Sequence, residues 1–185
     1  GFTARPVVGG VFLRMLYEKD VWAKYAGRDT TKAAGYAPMP KPPKTVTLVS
    51  TSEHEPTSWR YTTGNPGASW MAEDFNDAGW ETGEAGFGTR ETPGSAVRTV
   101  WNTGDIWLRR TFELKDPVPA NVVLRVHHDE DADVFLNGKP ALTLGGFTTE
   151  YQFAEIKSGL LRAGENTIAI HCRQTRGGQY IDAGI

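Results

Sequence analysis

The chain has 185 residues, 39% of them hydrophobic and 23% charged, with a net charge of −2; this composition excludes a disordered tail, and the length suits one ordinary domain with a sizeable extra piece. No apolar run approaches the roughly 20 residues of a membrane helix, and Cys172, the single cysteine, excludes an internal disulfide and any Cys-based structural zinc site. The 21 glycines and 11 prolines point to many short elements joined by turns.

The chain starts at Gly1 and not at Met, so it reads as a fragment, and the lack of a signal peptide excludes nothing about its parent. Val8, Val11, Phe12, Met15 and Leu16 recur at helical spacing, and Trp22 and Ala23 continue the stripe. Asp20 offers an N-cap for a second short helix through Ala26. One or two short helices are therefore expected within residues 1–36. Their apolar face needs a partner, either the following domain or the rest of a larger domain upstream. Pro38, Pro40, Pro42 and Pro43 fall within six residues, which forbids both helix and inner strand. Residues 37–44 read as a semi-rigid linker. Charge divides at the same place: residues 1–44 hold eight Lys/Arg against three Asp/Glu, and the remainder twelve against nineteen. The lysines of the first piece are dispersed and accompany no recognition motif, so nucleic acid is not an expected partner.

From residue 45 the period changes to two, and residues 45–185 read as one sandwich. Thr45–Val49 and Trp59–Thr62 are short β-branched or aromatic runs. Residues 65–89 form a long Gly-rich stretch holding Trp70, Phe75, Trp80 and Phe87, expected to plug one end of the domain. Asp105–Leu114 alternates, with Ile106, Leu108, Phe112 and Leu114 on one face; Arg110 interrupts that face and should lie near its edge or be paired. Val122, Leu124 and Val126 mark the next strand, and Asp133–Leu136 the one after it. Asn137-Gly138 then signals a tight hairpin. Tyr151–Ile156, Thr167–Arg173 and Gln179–Ile185 complete roughly eight strands. The expected fold is mainly β, an antiparallel jelly-roll sandwich preceded by one or two short helices.

The ordered set Ile106-Trp107-Leu108-Arg109-Arg110-Thr111-Phe112-Glu113-Leu114, Ala132-Asp133-Val134-Phe135-Leu136-Asn137-Gly138, Gly145-Gly146-Phe147 and Leu161-Arg162-Ala163-Gly164-Glu165-Asn166-Thr167-Ile168-Ala169-Ile170 resembles the sugar-binding domain of β-galactosidase-type glycoside hydrolases, a galactose-binding-like jelly roll. Asp74-Phe75-Asn76-Asp77-Ala78-Gly79-Trp80 resembles a segment common in those domains. Within the first piece, Arg5-Pro6-Val7-Val8-Gly9-Gly10-Val11-Phe12-Leu13-Arg14-Met15-Leu16 and Val21-Trp22-Ala23-Lys24-Tyr25-Ala26 are similar to the C-terminal end of the glutaminase A family. Together the resemblances imply a secreted or periplasmic hydrolase whose catalytic machinery lies upstream of Gly1. They imply a domain that binds carbohydrate or supports its enzyme, and that needs no cofactor.

Strand parity places Trp107, Arg109, Arg125, His127, Phe135, His171 and Arg173 away from the main apolar faces. If their strands share a sheet, they form an Arg/His/aromatic surface on which a sugar can stack. The other reading is a solvent-facing sheet or an interface with the missing domain. Trp107 is the clearest candidate for an exposed ring. Gln174 and Tyr180, in and after the turn from Gln174 to Gln179, extend this candidate ligand site along a loop rim. Asp129, Glu130 and Asp131 are a candidate calcium site, against the reading of an acidic surface turn. His127 and His171 form a weaker candidate metal pair. No serine stands in a Gly-x-Ser-x-Gly elbow, and Cys172 falls on an apolar strand face, so no catalytic residue is assigned. Three functions remain: an accessory carbohydrate-binding or structural module, a part that completes an enzyme's active site, and a protein-interaction module.

Overall fold

The computed structural model describes residues 45–185. The helices expected within 1–36 and the linker 37–44 lie outside the described residues. The described residues form eleven strands, with apolar alternation clearest in the longer ones: β1 (Ser58–Thr62), β2 (Glu81–Glu84), β3 (Phe87–Gly88), β4 (Thr99–Val100), β5 (Asp105–Leu114), β6 (Val123–Asp129), β7 (Asp131–Leu136), β8 (Lys139–Leu144), β9 (Gln152–Glu155), β10 (Gly164–Arg173) and β11 (Tyr180–Gly184). They build a sandwich of two sheets. Sheet one runs β2-β1-β5-β10-β7-β8, and sheet two runs β4-β3-β11-β6-β9. All pairs are antiparallel except β3 with β4.

Successive strands cross between the sheets, and this sets which residues can meet. β5 belongs to sheet one, β6 to sheet two, β7 and β8 to sheet one, β9 to sheet two, β10 to sheet one and β11 to sheet two. The inward faces interdigitate: Ile106, Leu108, Val134, Leu136, Ile168, Ile170 and Cys172 from sheet one meet Leu124, Val126, Ile181 and Ala183 from sheet two. Cys172 is fully buried, as its parity predicts, and burial pushes its thiol pKa up, so it is no nucleophile at neutral pH. Arg110 stands on the apolar face as expected. It donates to the Ser50 carbonyl at 3.3 Å and lies over the Trp59 ring.

Local chemistry fixes the turns. Asn137 and Gly138 both have positive φ, 49° and 72°, the backbone of a type I′ hairpin turn between β7 and β8. The Asn137 side chain then reaches across to β10: its Oδ1 accepts from the Thr167 amide, and its Nδ2 donates to Asn166 Oδ1 at 2.8 Å and to the Leu160 carbonyl. Asn166 returns along its own turn, donating to the Arg162 and Gly164 carbonyls and accepting from the Arg162 amide. Thr45–Val49, expected as a strand, forms none. Leu48 and Val49 instead bond Ile185 through their backbones.

Because Asn166 is buried and uses both ends of its amide, Asn166→Ala strands several polar groups at once. We expect a loss of about 2–4 kcal/mol in urea unfolding, with an unchanged m-value.

Candidate functional site

The residues expected to share one surface fall on two. β5, β7 and β10 lie in sheet one, so Trp107, Arg109, Phe135, His171 and Arg173 share its outer face. β6 lies in sheet two, so Arg125 and His127 do not join them. Period-two patterning tells which face of a strand a residue takes, but not which sheet the strand enters. His127 and His171 thus stand on different sheets and outside the shared core, which removes them as a metal pair.

The outer face of sheet one is closed, and not open for a ligand. Trp107, expected as an exposed ring, is 8% exposed. The segment 65–80 lies across the face: Trp70 is buried against Trp107 and Ala169, with Met71, Phe75, Trp80 and Phe135 packed around them. Trp70 meets Phe135 edge-on at 5.4 Å, and Trp80 meets Phe75 at 5.6 Å. Of the four rings expected as a plug, Trp70, Phe75 and Trp80 pack together, but over a sheet face and not an end, whereas Phe87 lies in β3 and belongs to the core between the sheets. Arg109 is only 2% exposed. Its Nε donates to Asp77 Oδ2 at 3.0 Å, its Nη1 to the Trp70 carbonyl at 2.6 Å, and its guanidinium lies over Phe75. It fastens the plug and holds no outside ligand.

One end of this face stays polar. His171 stacks flat on Trp107, with ring centroids 4.5 Å apart, and its Nε2 bonds Asp105 Oδ1 at 2.7 Å. Arg173 donates to Asp133 Oδ2 at 2.9 Å, and Asp133 Oδ1 accepts from the Thr143 hydroxyl. Arg173 already has its carboxylate in Asp133, and His171 its hydrogen-bond partner in Asp105, so the row pairs with itself. Gln174 begins the following turn, with its Oε1 buried and unpartnered.

The outer face of sheet two is also covered at its centre. His127 and Tyr180 are both 0% exposed, so Tyr180 is no rim residue. Tyr151, Tyr180, Asp182 and His127 form one buried polar cluster. The Tyr151 hydroxyl donates to Asp182 Oδ2 at 2.5 Å and lies 2.9 Å from that of Tyr180. Asp182 Oδ2 also accepts from the Ser52 amide at 2.7 Å. Gly94 sits so close to the Thr149 carbonyl that a Cβ there would clash, and it lies against the His127 ring. Burial pushes Asp182 up to about 6 and holds His127 below its ordinary value, while burial and the Asp182 charge raise both tyrosines. Sequence reasoning missed Asp182, although its alternation with Ile181 and Ala183 places it on the face of His127.

Asp129, Glu130 and Asp131 are the carboxylates between β6 and β7, and they turn to separate surroundings. Asp129 is buried beside Gly178, the Thr175 hydroxyl bonds Glu130, and Asp131 Oδ1 accepts from the Gly146 amide. Among the described residues, no three His, Cys, Asp or Glu side chains converge as a metal-binding set. Nor is any helix there long and apolar enough to cross a membrane.

No family model matches this chain, and no curated protein does. Solved structures share its fold. A β-glucuronidase from glycoside hydrolase family 2 is 19% identical with TM-score 0.52, over 77% of this chain and 18% of that one. A glycosyl hydrolase family 2 member from Bacteroides cellulosilyticus is 14% identical with TM-score 0.52, over 74% and 20%. A Bifidobacterium dentium β-glucuronidase is 16% identical with TM-score 0.51, over 75% and 22%. The chain thus spans about a fifth of the length of these enzymes, and at such identities the likeness is one of fold.

Two outcomes follow from the two closed faces. Asp77→Ala leaves the Arg109 guanidinium buried without its carboxylate, and should cost about 3–5 kcal/mol in chemical denaturation. Asp182 has a folded pKa of about 6 against an ordinary 3.8, so the folded state holds its proton more tightly. Its contribution to stability is full below the ordinary value and is lost as pH rises through about 6. Between pH 4 and 7 the native chain should lose on the order of 3 kcal/mol relative to Asp182→Asn. Taking that difference removes the opposite contribution of His127, which fades as pH falls.

Proposed function

We propose that this chain is a non-catalytic accessory module of a larger hydrolase, and that its sandwich supports that enzyme structurally. One observation carries this reading: the Arg/aromatic face that suits a sugar is filled by the chain's own segment 65–80, with Arg109 tied to Asp77 and Trp70. The shared fold with glycoside hydrolase family 2 enzymes, over about a fifth of their length, supports a module within a glycosidase-like protein. The similarity of residues 5–26 to the glutaminase A family supplies the other parent chemistry, a glutaminase-like hydrolase. The proposal places that parent outside the cytoplasm, secreted or periplasmic, on the resemblance alone.

The buried side chains argue against a catalytic role. Cys172 is held protonated in the core, and Asp182 is engaged by Tyr151 and the Ser52 amide.

The test is deletion of residues 45–185 from the longer protein. The accessory reading expects a lower Tm and yield, with turnover per folded molecule unchanged. Loss of turnover in a molecule that remains folded would instead make the sandwich part of the active site.

A further inference from the structure

Asn137-Gly138 makes the turn between β7 and β8, and the same pair carries covalent chemistry of its own. A glycine puts no side chain in the way of its backbone nitrogen. After an asparagine, that nitrogen can attack the side-chain Cγ, close a five-membered succinimide and expel ammonia. Water then opens the ring at either carbonyl and leaves aspartate or isoaspartate. One C–N bond forms as another breaks, and one water enters for one ammonia lost. No oxidant or catalyst is required.

The attack needs the Asn137 side chain to swing back onto its own backbone, and the fold holds it the other way. The Asn137 amide donates to the Thr167 carbonyl at 2.9 Å, and Oδ1 accepts from the Thr167 amide at 2.8 Å. The side chain thus extends the β7–β10 ladder past Leu136, where the main chain turns away. Nδ2 is spent on Asn166 Oδ1 at 2.8 Å and on the Leu160 carbonyl at 2.9 Å. Asn137 is 7% exposed. The segment 65–80 backs the turn as well: a Cβ on Gly138 would meet Ala72 Cα and the Met71 carbonyl, each at 3.6 Å. Cyclisation in the folded chain would break three side-chain hydrogen bonds of a buried amide together. Unfolding removes every one of these restraints and leaves Asn-Gly free in a flexible chain.

The products do not fit the place they came from. Aspartate keeps an acceptor for the Thr167 amide, but sets a carboxylate oxygen where Nδ2 faced two acceptors, Asn166 Oδ1 and the Leu160 carbonyl. Isoaspartate adds one carbon to the backbone of a two-residue turn whose φ values, 49° and 72°, join β7 to β8 in register. We propose that Asn137 is a deamidation site gated by folding: the native domain protects it, unfolding exposes it, and the converted chain cannot regain full native stability. Reversible opening of the domain thereby becomes irreversible loss. The site is independent of the module's role in its parent protein.

The 185-residue chain is held at mildly alkaline pH across a urea series. Mass spectrometry of the peptide bearing residue 137 follows conversion, and tryptophan fluorescence gives the unfolded fraction. A synthetic peptide spanning residues 134–139 in the same solutions corrects for urea itself. The rate should rise in proportion to the unfolded fraction and reach that of the peptide. Without urea it should lie at least about a hundredfold lower. Converted chain, isolated by ion exchange, should refold with a lower urea midpoint than the unmodified chain, or not refold. The proposal is overturned by a rate indifferent to the unfolded fraction, by no conversion in the unfolded chain, or by an unchanged midpoint after conversion.

Discussion

A buried guanidinium organises this sandwich. Arg109 projects from the middle of β5 on the face away from the core, where an arginine would ordinarily reach water. Instead it is covered, and a covered charge must find a carboxylate and acceptors within reach. Asp77 and the Trp70 carbonyl supply them, and both belong to the segment 65–80. That segment cannot lift away without stranding the charge, so Trp70, Phe75 and Trp80 are held down on Trp107 and Phe135. A second apolar layer results outside sheet one, and a surface with the composition of a binding platform becomes interior.

Sheet two reaches a similar end by another route. Asp182 takes the Ser52 amide, and Arg98 donates to the Ser52 and His54 carbonyls, so the segment around residue 52 is drawn over the sheet. The loop at Gly94 closes on His127 from the other side. Both outer faces are thus covered at their centres. The proposed structural task rests on this closure.

Much of the fold was legible in the sequence. Period-two alternation gave β5 to the residue and set Cys172 inward. The Asn-Gly pair gave the β7–β8 turn. Arg110, expected to lie near the edge of its face or to be paired, stands within an inner strand and is paired through the Ser50 carbonyl and the Trp59 ring. The candidate site was less legible, for two physical reasons. Parity assigns a face but not a sheet, and because successive strands cross the sandwich, Arg125 and His127 separate from Trp107. An outward-facing residue is also not thereby exposed. Whether Trp107 meets water depends on Asp77, thirty residues earlier, finding Arg109, and alternation along a strand carries no trace of that pairing. The segment from Asp74 to Trp80 did hold the signal, as an acid, aromatics and a glycine in a long stretch inside a domain.

The central claim is that the aromatic face of sheet one is interior. Hydroxyl-radical footprinting of the native chain, read by mass spectrometry, measures this directly. The account predicts that Trp70 and Trp107 stay unmodified until the whole domain unfolds, while the exposed rings of Phe153 and Phe147 are oxidised in the native state. Oxidation of Trp107 in the folded chain as fast as that of Phe153 would contradict it, and would restore that face as an open platform.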